Sequence, residues 1–371
     1  MCGRGASAIF RWLLDDVRCK NIEESKLLEW QDRHRILLYP FIRAQERKYF
    51  SADFLNSCRS DYLKNYNRVL QVEYFFRKFN EFLTAHSLHA IVLKGIPVAE
   101  NYYPDKYIRH SRDVDVLVEQ CQINFVAAWL NSEGFHLDTD YFLYNKKQQE
   151  VFLKNNHHFC FRGTNAAYPL ILELHWKLRS HDDICNVDPF EIGYSRLKTS
   201  YDHLHTLNHI DQFIYLCVHG TEHGWYRLKW LLDLPFLCNM FNLEWEMVKV
   251  RANELSALEH VKISFYLIYH ITGKILIPGI EIDAFENEIK IKVSKILGRI
   301  NQPAMIETGY VAAFRQIGFL SSFNSRKWRS SFWMKWWVSP ADWKYFPLPN
   351  YLFFLYYFLR PIFWVIRKSI Q

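Results

Sequence analysis

Apolar and polar positions change their rhythm along this chain, and the changes outline its architecture. From residue 8 to residue 86 the apolar side chains recur at three- and four-residue spacing, the period of a helix. Within that region "SADFLNSCRSDYLKNYNRVLQVEYFFRKFNEFLTAH" (51 to 86) reads as a helix with Ser51 as its N-cap. Strand-like runs follow at 89 to 93 ("HAIVL"), 113 to 118, 157 to 161 ("HHFCF") and 170 to 176 ("LILELHW"). Between them lie a helix from Ile96 to Tyr102 and a second, "INFVAAWLNSEG", stopped by Gly134. Beyond residue 200 the helical period returns at 207 to 219, 225 to 240, 244 to 272 and 283 to 299. Strands enclosed by helices predict an α+β fold: a small mixed β-sheet core flanked by helices, with a largely helical C-terminal half. The expected regions are an N-terminal helical part (1 to 86), the strand-bearing core (87 to 180), a helical domain (200 to 300) and an aromatic, basic tail (301 to 371).

One strand carries chemistry. In "RHSRDVDVLVEQ" (109 to 120) Asp113 and Asp115 project to one face of the strand, while Val114 and Val116 point to the other. The plain reading is a strand cap beside a solvated acid. The chemical reading is a hard divalent cation such as Mg2+, which relieves the repulsion of two neighbouring carboxylates. A further acid, Glu173, interrupts the apolar "LILELHW", with His175 on the same face. A buried acid is costly, so Glu173 is either an edge residue or the third carboxylate of a metal site. Three such acids on neighbouring strands can hold one or two ions, and one of them can take the proton of an attacking hydroxyl. Upstream, Lys94-Gly95 joins a strand to a helix. Gly95 permits close backbone approach, the helix start favours an anion, and Lys94 supplies a point charge for phosphate. Arg109 is placed either to clamp a phosphate or to form a salt bridge, and Arg112 is a weaker candidate of the same kind.

The histidine-rich "CVHGTEHGWYRLKWLLD" (217 to 233) spaces His219 and His223 one helical turn apart. Gly220 and Gly224 argue against a continuous helix there, and no HExxH pattern accompanies the pair, so a structural or substrate-facing role outranks zinc. Trp225, Leu228, Trp230 and Leu231 form the packing face of the next helix. Half the residues are hydrophobic and 17% are aromatic, which excludes global disorder. The net charge of +7 leans toward anionic partners, yet the basic residues are scattered and outline no nucleic-acid footprint. The eight cysteines form no CxxC pair and no secretory segment follows Met1, which predicts reduced thiols and a cytoplasmic protein. The tail from Tyr351 to Ile366 is too short to span a bilayer and is broken by Arg360-Pro361. It either packs on the domain or lies in the interface at the inner face of a membrane, a choice kept open by Lys327, Arg329, Lys335, Arg367 and Lys368.

Taken together, "IVLKG", "YYP", "RHSRDVDVLV", "LELHW" and "HGTEHGWYRLKWLLDL" resemble the bacterial uncharacterised nucleotidyltransferase family, of the DNA polymerase β-like superfamily. The resemblance covers roughly residues 50 to 300, and "PLPNYLFFLYYFLRP" is similar to the family's ending. It implies two-metal, Mg2+- or Mn2+-dependent movement of a nucleotidyl group from a nucleoside triphosphate to an acceptor hydroxyl on an unidentified small molecule, peptide or protein. By position, Asp113, Asp115 and Glu173 match the metal-binding carboxylates, the last also a base. Lys94-Gly95 stands where the superfamily has a Gly-Ser turn around the triphosphate, and here it departs: no serine follows Gly95, and Asp113 lies eighteen positions further on. Two rivals remain on the same fold, a non-catalytic nucleotide- or partner-binding module and a phosphotransferase acting on the γ-phosphate.

Overall fold

Alternation along the acid-bearing strand divides the molecule into two cores. The computed structural model describes residues 6–15, 23–164, 170–178, 190, 196–282, 285–300 and 340–370. Its seven strands are β1 (Ala90–Val92), β2 (Asp113–Leu117), β3 (Phe135–Leu137), β4 (His158–Gly163), β5 (Ile171–His175), β6 (Arg196–Lys198) and β7 (Leu204–Leu207). They form one mixed sheet in the order β3-β4-β5-β2-β1-β7-β6. β2 pairs parallel with β5 and antiparallel with β1, and β1 pairs parallel with β7.

The helices are α1 (Ala6–Asp15), α2 (Glu24–His34), α3 (Ala52–Ala85), α4 (Ile96–Tyr102), α5 (Ile123–Ser132), α6 (Lys146–Asn155), α7 (His209–Glu222), α8 (Leu228–Met240), α9 (Trp245–Glu254), α10 (Leu258–Thr272), α11 (Asn287–Ile300), α12 (Pro340–Tyr345) and α13 (Leu355–Ile370). Val114, Val116, Leu172 and Leu174 point from the sheet into a core shared with the second half of α3, α5, α6 and α13. Ile91, Leu93 and Leu117 face the opposite core, built by α1, α2 and α7 to α11. Period-two geometry therefore puts Asp113, Asp115, Glu173 and His175 on the side of the sheet that meets the helical half.

The α+β expectation is met, with local corrections. Ser51 caps α3 by accepting from the Phe54 amide at 3.2 Å. The expected helix over 244 to 272 is two, because the chain turns at Leu255–Ala257 with Ser256 at a left-handed φ of 53°. Gly220 does not interrupt α7. Its missing side chain admits the buried Trp225 indole, which a Cβ there would overlap, and the turn falls instead at Gly224 and Trp225. β3, β6 and β7, of three or four residues each, are too short to announce themselves by alternation.

In the tail, Tyr356 and Phe363 of α13 are buried in the second core. The buried Asp342 accepts from Arg360 Nη1 at 2.7 Å and from Arg367 Nη1 at 3.1 Å. Phe358 and Ile362 of this helix lie exposed, as does Phe354 just before it. No described helix is long and apolar enough to cross a membrane. Lys327, Arg329 and Lys335 lie outside the described residues, as does the side chain of Lys368.

Candidate active site

Register brings the acids together. Asp115 and Glu173 are direct partners across β2 and β5, as are Leu117 and His175 two residues further along. Strand spacing alone sets such side chains ~4.8 Å apart at their bases. His175 Nε2 lies 3.4 Å from both Asp115 Oδ1 and Glu173 Oε2. Lys94 lies two residues past the end of β1, and its Nζ sits 3.0 Å from Asp115 Oδ1 and 3.2 Å from Asp113 Oδ2. The turn that places it depends on Gly95, whose φ of 91° lies in the region that favours glycine. A Cβ there would also come within 3.3 Å of Ser111 Oγ.

The electrostatics follow from burial and these short distances. Burial works against the charge on Lys94, but Asp115 and Asp113 outweigh it and hold its pKa above the ordinary range. Asp113, desolvated yet close to Lys94 and Lys229, is held well below the usual carboxylate range. Asp115 is pushed up to about 6, chiefly by its burial, although Lys94 opposes the change. Burial also opposes the charge on Glu173, which His175 and Lys94 nevertheless keep low. His175 is raised, because the two carboxylates overcome its desolvation. Asp115 is 1% exposed, and its Oδ2 has no hydrogen-bond partner among the described residues. That oxygen needs a ligand.

These groups line a cavity of about 520 Å3 between the sheet and the helical half. Lys94, Asp113, Asp115, Glu173, His175, His219 and His223 all reach it. Arg109 does not: its guanidinium grips the fully buried Asp233 of α8 in a two-pronged pair, Nε to Oδ1 at 2.7 Å and Nη2 to Oδ2 at 2.8 Å. The Tyr103 hydroxyl donates to the same carboxylate at 2.7 Å. The salt bridge rather than the phosphate clamp is thus the observed state of Arg109, since a buried Asp233 demands a cation. His219 and His223 stand with ring centroids 4.6 Å apart, but neither belongs to a described group able to share a metal ion.

The same cavity is also lined by basic and aromatic side chains, Arg35, Arg112, Tyr226, Arg227, Lys229 and Trp230. Sequence reasoning passed over all of these as site residues except Arg112, and for Trp230 it ranked core packing above base stacking. Lys229, 6% exposed, donates to the His110 carbonyl at 3.3 Å, and burial pulls its pKa down to about 7. Arg35 ends α2 in a left-handed conformation, φ 52°, and is lowered by burial and by Arg112. Neither arginine nor Lys229 forms an ion pair among the described residues. A lysine inside the apolar "RLKWLLDL" was the available signal, and the packing reading of that helix hid it.

A carboxylate and imidazole cluster thus shares one cavity with Arg35, Arg112 and Lys229, groups whose chemistry suits a metal and a polyanion. The family model described as "Uncharacterised nucleotidyltransferase" matches residues 20–273, more than half of the chain, and the protein belongs to that family. The family marks it as a transferase in general terms. No curated protein and no solved structure matches the chain.

Proposed function

We propose that this protein moves a nucleotidyl group from a nucleoside triphosphate to an acceptor hydroxyl, with Mg2+ or Mn2+ at Asp113, Asp115 and Glu173. The observation that carries the reading is the in-register Asp115–Glu173 pair, with its orphaned Oδ2, set in one cavity with Arg35, Arg112 and Lys229. Those three cations suit a triphosphate, and the two guanidiniums can fork onto phosphate oxygens. Lys94 holds Asp113 and Asp115 in place. Glu173, kept ionised, suits ion binding better than proton abstraction, for which a low pKa makes a poor base. When bound, the ion neutralises charge developing on the transferred phosphoryl group. The acceptor hydroxyl oxygen bonds to the α-phosphorus and gives its proton to solvent water, the bridge to the β-phosphorus breaks, and pyrophosphate leaves with the bond's electrons. The test is product analysis with ATP, GTP, CTP and UTP, each with Mg2+ or Mn2+ and a panel of hydroxyl acceptors. Metal-dependent pyrophosphate supports the reading. Nucleoside diphosphate instead makes the protein a phosphotransferase, and tight triphosphate binding without turnover makes it a binding module.

Lys229 gives this reading a pH signature. In the free protein its pKa is pulled down to about 7, so above that pH the ammonium loses its proton. A triphosphate favours the charged form, so binding must then take a proton from solvent. Triphosphate affinity should fall as pH rises above about 7, by up to about tenfold per unit, until the bound-state pKa is passed. Titrations between pH 6 and 9 should show this fall in the wild type and its loss in Lys229→Met.

A further inference from the structure

Lys94 and His175 divide the carboxylates in a way the acid triad alone does not foretell. The Lys94 ammonium already lies between Asp113 and Asp115, within 3.2 Å of an oxygen of each. An ion chelated by that pair would have to displace a buried cation from its two partners. Asp115 Oδ1 also faces His175 at 3.4 Å, and its Oδ2 is buried without a hydrogen-bond partner among the described residues. His175 is 3% exposed, and neither ring nitrogen makes an aligned hydrogen bond, although Nε2 lies 3.4 Å from each of two carboxylates. A buried imidazole without hydrogen bonds beside a buried carboxylate oxygen without one is a costly pair to leave unfilled. Donor atoms of Asp115, Glu173 and His175 lie within 4.8 Å of one another, close enough to share one ion.

We infer that this protein holds one divalent ion on Asp115, Glu173 and His175, with Lys94 fixed against Asp113 in place of a second ion. The inference rests on the proposed transferase reading and refines its metal centre. It makes His175 a ligand and Asp113 a partner of Lys94. An imidazole nitrogen among the donors favours Mn2+ and later first-row ions over Mg2+, which takes oxygen donors and dehydrates reluctantly. A rival group, His157, His158 and His175, could share an ion as well, and the Asp115 variant separates the two.

The experiment is Mn2+ titration of the full chain without nucleotide, read by EPR for stoichiometry and by pulsed EPR for 14N coupling from a bonded imidazole. The wild type should bind one ion with 14N coupling. His175→Gln should lose the coupling and weaken binding roughly 10- to 100-fold, as removing a metal's close partner does. Asp115→Asn should abolish binding, Asp113→Asn should keep the coupling, and Lys94→Met should bind a second ion. If His175→Gln fails to fold by circular dichroism, the wild-type spectrum alone decides. Mn2+ bound through oxygen alone, two ions in the wild type, a single ion in Lys94→Met, or binding that survives Asp115→Asn would each overturn the inference. None of these touches the transferase reading, which stands or falls on pyrophosphate release. A wild type that binds no Mn2+ would overturn the inference as well, and pyrophosphate release would still decide the transferase reading.

Discussion

Asp115→Asn should lower pyrophosphate release by about a thousandfold while leaving the melting temperature nearly unchanged. The carboxylate is the most buried of the three acids and the one with an oxygen left over. Loss of metal charge stabilisation is worth several kcal/mol, and about 4 kcal/mol corresponds to ~10³ in rate. The fold should tolerate the change, because asparagine has the same shape and Lys94 retains Asp113 as a partner at 3.2 Å. Burial already opposes the Asp115 charge, so removing it relieves a cost as it loses an ion pair. Steady-state release beside a thermal melt gives both readings. A variant that still turns over at the wild-type rate would remove Asp115 from the chemistry.

Arg109→Met should do the reverse, destabilising the fold by about 3–5 kcal/mol, the usual consequence of leaving a buried charge without its partner. Asp233 is fully buried, and without the guanidinium only the Tyr103 hydroxyl remains on its carboxylate. This pair ties the segment before β2 to α8, the helix that carries Lys229 and Trp230. Urea denaturation should show the loss, and Arg109→Met/Asp233→Leu should recover most of it by removing both charges. If Arg109→Met is as stable as the wild type and fails instead to bind triphosphate, the residue acts on phosphate after all.

What could be read in advance depended on distance along the chain. The alternation Asp113-Val114-Asp115-Val116 is local, so the strand and the shared face of its acids followed from period two, whereas the pairing of β2 with β5 is a long-range fact that no local pattern carries. Glu173 was legible for the same reason: an acid inside an apolar strand breaks its own pattern. For Arg109 a clamp and a salt bridge both stayed open, and of the two the salt bridge is observed; its partner Asp233 lies 124 residues away, so the sequence near Asp113 could not name it. Arg35 joins the cavity only through the packing of α2 against the helical half, which no local pattern encodes. Lys229 was visible as an oddity in an apolar helix, but its meaning depended on the cavity opposite it. Lys94 was expected at phosphate and instead sits between two carboxylates, since a strand end and a turn do not by themselves give a side chain's partner.

The even spacing of β2 has an evolutionary corollary. Its odd-numbered aspartates carry the chemistry and its even-numbered valines fill the second core. Loss or gain of one codon inside the strand would exchange the two sets, driving carboxylates into hydrocarbon and valines into the cavity. Such a lineage could not drift gradually from active to inactive by shifting this segment; it would lose the folded protein in the same step. Point substitution at Asp113 or Asp115 is the route that spares the scaffold. An inactive descendant of this chain would therefore keep the length of β2 while changing its odd letters.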